Sequence, residues 1–85
     1  MDEIKRDTIK VADKLEQHGH AGHAGALRAV LAASHPRSMF LTTLREGCQV
    51  VLTAIEAIDP VCATLVEELR LEVDKRLTAE HSPAS

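Results

Sequence analysis

The chain has 85 residues, a formal charge of -3, and 45% hydrophobic and 27% charged residues; this bounds it to one globular domain and argues against a disordered or a membrane protein. Phe40 is the lone aromatic residue, so the stacking platforms that single-stranded nucleic acid needs are missing, and the negative charge offers phosphate no general attraction. The core must come from Leu, Ile, Val and Ala, a composition that suits closely packed helices.

From Asp2 to Gln17 the residues Ile4, Val11, Ala12 and Leu15 recur at helical spacing around Thr8, and charges of both signs fill the opposite face. Acidic Asp2 and Glu3 favour the N-terminus of this helix, and Gly19 can take the left-handed conformation that ends it after His18. A shorter second helix is expected over residues 21–33 on the stripe Ala24, Leu27, Val30 and Leu31, frayed at its start because Gly22 and Gly25 each cost about 1 kcal/mol relative to Ala. Pro36, which lacks a backbone donor and restricts His35, makes Ser34 to Ser38 a loop or the first turn of the next helix.

A long pattern then runs through Leu41, Leu44, Cys48, Val51, Leu52, Ile55 and Ile58 at three-and-four spacing. It reads either as one long helix or, given Gly47 and a possible capping box between Thr43 and Glu46, as two. Asp59-Pro60 is a helix start, a capping carboxylate followed by proline at the first helical position. Behind it Cys62, Leu65, Val66, Leu69, Val73 and Leu77 supply the stripe of a last helix running to about Thr78. The expected fold is all-α, a small four-helix bundle of two helical hairpins over residues 1–78, with a disordered tail over 79–85.

Two constellations are candidates for chemistry. His18, His20 and His23 lie within one short run, and neutral imidazoles bind zinc, copper and nickel; His35 is a further candidate if it approaches across the hairpin. No HExxH or CxxC spacing sharpens that reading, and the competing one is a solvated turn. Cys48 and Cys62 sit among apolar neighbours that raise a thiol pKa, so they read as inert core residues. Met1 is followed by charged residues and not by an apolar run, so a cytoplasmic protein with reduced thiols is expected. No catalytic set or phosphate-binding loop is present, and neither an enzyme nor a cofactor is expected.

Charge is uneven along the chain. Residues 17–45 hold Arg28, Arg37 and Arg45 and no acid, whereas residues 46–85 hold eight acids against three bases. The arginines can face an acidic protein partner or pair internally with Glu67, Glu68, Glu72 and Asp74 of the last helix. The segment from Gly47 to Val66 has thirteen apolar residues and only Glu56 and Asp59 as charges, more apolar surface than one bundle seam uses. Asp59-Pro60 interrupts it well short of a membrane span. The sequence therefore points to a non-catalytic protein-interaction module, an adaptor, inhibitor or immunity-type protein, that also pairs with its own copy. Its partner-binding candidates are Arg28, Arg37, Arg45, Val51, Ile55 and Ile58. The alternative is a metal-binding or metal-responsive protein built on His18, His20 and His23.

Overall fold

The apolar stripes become four α-helices: α1 (Glu3–Gln17), α2 (Ala21–Ala32), α3 (Arg37–Ile55) and α4 (Pro60–Glu80). The computed structural model describes residues 3–33 and 35–80, without the side chains of Arg37, Ser38 and Glu80. No described helix is long and apolar enough to cross a membrane.

Each helix buries the face its spacing dictates. From α1 come Ile4, Val11, Ala12 and Leu15, with Thr8 sealed among them. The buried hydroxyl of Thr8 is satisfied by donating to the Ile4 carbonyl at 2.7 Å. From α2 come Ala24 and Leu27, with Val30 and Leu31 half-buried beside them. Leu41, Leu44, Cys48, Val51 and Ile55 of α3 and Cys62, Val66, Leu69, Val73 and Leu77 of α4 are buried in the same core. Phe40 is 6% exposed, with the Lys5 ammonium 5.6 Å from its ring centre.

Packing pairs α1 with α2 and α3 with α4 most extensively, and α1 with α4 and α2 with α3 close the ring. The connections are short, so sequential neighbours run antiparallel. This is the expected four-helix bundle of two hairpins. Its topology puts the α1–α2 turn and the α3–α4 turn at the same end.

Several boundaries differ from the sequence reading. α2 begins cleanly at Ala21 with Gly22 and Gly25 inside it. Of the two readings open for the third helix the structure has the first, one continuous helix through Gly47, where a methyl group would meet Leu27 Cδ2 of α2 at an ordinary 3.6 Å. It stops at Ile55, short of the end of its apolar pattern, because Pro60 keeps Asp59 out of the helical region and the chain turns through Glu56, Ala57 and Ile58. α4 continues to Glu80, so residues 79 and 80 are helical and not part of a tail; the rest of the expected tail, 81–85, lies outside the described residues.

Candidate functional site

The end of α1 is built by backbone bonds. Gly19, at φ 85°, lets its own N–H reach the Glu16 carbonyl at 3.1 Å and the His20 N–H reach the Leu15 carbonyl at 2.8 Å, the paired closure of a Schellman motif. The turn fixes His18 and His20 on either side of Gly19. Facing them is the start of α4, where Asp59 caps the helix by accepting the Cys62 N–H on Oδ1 at 3.1 Å.

The two turns meet through Asp59. His18 Nδ1 lies 3.1 Å from Asp59 Oδ2, and His20 Nε2 lies 2.9 Å from the same oxygen. An ionised carboxylate only accepts, so His18 donates as the Nδ1–H form and His20 as the Nε2–H form. The carboxylate is held well below the usual range, first by the Cys62 backbone N–H and then by His20. The side chains of His20 and Asp59 are each 15% exposed, and that of His18 36%. His23 stands apart from this contact, its ring centre 6.4 Å from that of His20 and its plane tilted by 46°.

Cys62 completes the group. Among the described residues, one ligand atom each from His18, Asp59 and Cys62 lies within 4.8 Å of the other two. The fully buried Cys62 thiol is pushed up to about 11, first by burial and then by its hydrogen bond to Asp59 and the charge there. Cys48 is pushed up to about 12 by burial, with the Arg70 guanidinium opposing. Both thiols are free, buried and protonated at neutral pH, a poor state for a nucleophile. As donors to a metal, the imidazole, carboxylate and thiol offer a mixed set.

Of the histidines singled out by sequence, the structure therefore brings His18 and His20 onto one carboxylate and leaves His23 aside. His35 belongs to the opposite end, because α2 separates the two by about 18 Å at 1.5 Å per residue; the approach across the hairpin does not occur. Asp59 and Cys62 were missed as partners of the histidines. The signal that finds them is topological, since an up-and-down bundle of two hairpins necessarily brings the first and third turns to one end.

Arg28 and Arg45 are engaged within the chain. Arg28 Nη2 meets Asp13 Oδ1 at 2.7 Å, and its Nη1 bonds Glu16, so its partners lie on α1 and not on the last helix. Antiparallel packing of α1 and α2 explains this choice. Arg45 Nε lies 3.4 Å from Asp74 Oδ1 of α4, and Arg70, which sequence reading passed over, links Glu67 at 2.7 Å to the same Asp74 at 2.9 Å. Arg37 opens α3, and its side chain is outside the described set.

The apolar candidates divide. Val51 and Ile55 are sealed in the core at 1% and 0% exposure, because they fall on the inward face of α3; they are not available as a partner surface. Ile58 is 71% exposed, in the turn, with Val50 at 67% and Val61 at 60%. Ala54 and Ala57 are exposed between them. Asp59 is drawn inward by the histidines, so Glu56 is the single exposed charge from Gln49 to Val66.

A scan against protein-family profiles gave no match, and neither did searches of curated proteins and of solved structures.

Proposed function

We propose that the chain is a non-catalytic protein-interaction module that acts as a two-fold dimer, docking through the aliphatic apex of the α3–α4 hairpin. The observation that carries this reading is the exposure of Val50, Ile58 and Val61 at 60–71% within the stretch from Gln49 to Val66, whose single exposed charge is Glu56. A surface of this kind gains by leaving water. It offers a charged partner almost nothing to pair with, whereas a second copy presents the same aliphatic side chains in a self-complementary arrangement. The domain is small, and its marginal core benefits from the added burial.

Arg28 and Arg45 support the acidic-partner alternative less well, since both already face carboxylates of the same chain. The protonated, buried thiols of Cys48 and Cys62 suit a reducing compartment, and the proposal places the protein in the cytoplasm. Sedimentation equilibrium tests the dimer. The wild-type chain is expected to approach twice its 9.2 kDa mass as concentration rises, and Ile58→Asp to remain a monomer with an unchanged far-ultraviolet spectrum. A single-chain mass for the wild type throughout, or a dimer insensitive to Ile58→Asp, contradicts the proposal.

A further inference from the structure

We propose that His18, Asp59 and Cys62 form a binding site for a soft divalent cation, zinc above all, which staples the α1–α2 turn to the first turn of α4. Their donor atoms come from two turns far apart in sequence yet lie within 4.8 Å of one another. Ligands around tetrahedral zinc, at the usual bond lengths, stand roughly 3.3–3.6 Å apart. The His18–Asp59 pair, at 3.1 Å, is already close to that separation, and a small side-chain adjustment closes the rest.

The two oxygens of Asp59 divide the work. Oδ1 accepts the Cys62 N–H and caps α4, whereas Oδ2 faces the imidazoles, so ligation through Oδ2 leaves the cap intact. His20, bonded to that oxygen at 2.9 Å, holds the carboxylate in place in the manner of the outer partners that orient metal ligands. Three protein ligands leave a fourth position to solvent.

Charge and softness select the ion. A thiolate and a carboxylate together neutralise a dication, so the cation removes the penalty that otherwise keeps the buried Cys62 thiol protonated. Sulfur and imidazole donors favour zinc over magnesium or calcium. On binding, Cys62 gives its thiol proton to solvent, and His18 exchanges its Nδ1–H for the Nε2–H form, so one proton is released for each zinc bound. This site differs from the triplet His18, His20 and His23 that the sequence alone brings forward, because His23 contributes nothing to it.

Titration of the full-length chain with cobalt(II), followed by displacement with zinc, tests the site. The expected result is a thiolate-to-cobalt charge-transfer band in the near ultraviolet at one cobalt per chain, lost when zinc displaces cobalt, and, in a separate calorimetric titration of the metal-free chain with zinc across buffers, release of one proton per zinc. Cys62→Ser removes the band. His18→Ala, at an exposed position, and Asp59→Asn, which keeps a capping oxygen, each lower zinc affinity by more than about 100-fold, beyond the roughly 10–100-fold expected for the outer partner in His20→Ala. Cys48→Ser and His23→Ala leave affinity unchanged. Absence of the band in the wild type overturns the proposal, and so does zinc binding that survives His18→Ala or falls with His23→Ala. Ile58→Asp is expected to bind zinc normally, which keeps this result separate from the oligomeric state.

Discussion

At Asp59 one side chain serves the helix and the tertiary fold at once. Its Oδ1 caps α4, and its Oδ2 gathers His18 and His20 from the opposite hairpin. These bonds favour the ionised form, so the folded pKa is depressed, and the sign of the linkage follows. The stabilisation is fully present above the unfolded value of about 3.9 and is lost as pH falls below it toward the folded pKa. Asp59→Asn keeps a capping oxygen and lacks the charge. Its stability deficit against the wild type is expected to shrink steadily between about pH 5 and pH 2 in urea melts, and a deficit constant over that window would contradict the assignment. The cap was legible from Asp59-Pro60 because capping is local. The histidine contacts were not, since residues some forty positions apart meet only after the bundle has chosen which turns share an end.

At the scale of the helix, local chemistry and packing decide different boundaries. Gly19 ends α1 because its positive φ is required there, and Pro60 ends α3 before its apolar pattern does. Gly47 left a break open by composition, yet α3 passes through it unchanged because Leu44, Cys48 and Val51 on either side are fixed in the core. Tertiary packing overrides the weak local preference. Nothing at Gly47 demands glycine, since an added methyl would sit 3.6 Å from Leu27 Cδ2. Gly47→Ala is therefore expected to raise stability by about 0.5–1 kcal/mol, the ordinary cost of glycine in a helix interior, whereas Gly19→Ala, forced to φ 85°, is expected to lower it. A reduced denaturation midpoint for Gly47→Ala would show that α2 and α3 approach more closely there than the backbone spacing implies.

At the scale of the whole molecule, periodicity was enough to give four helices in two hairpins and most of the core, because an aliphatic chain with one aromatic residue has few other ways to bury its stripes. The same periodicity could not separate inner from outer apolar residues between Val50 and Val61. Val51 and Ile55 are buried, and Val50 and Ile58 face water, a division set along α3 by which face packs into the core and at Ile58 by where the helix stops. The outward set is the basis of the proposed dimer, and methyl NMR spectra of the wild-type chain over a dilution series test it most directly. The expected result is concentration-dependent shifts at Val50, Ile58 and Val61, with Val51 and Ile55 unmoved; spectra that do not change on dilution, or shifts centred instead on residues around Arg28 and Arg45, would contradict it.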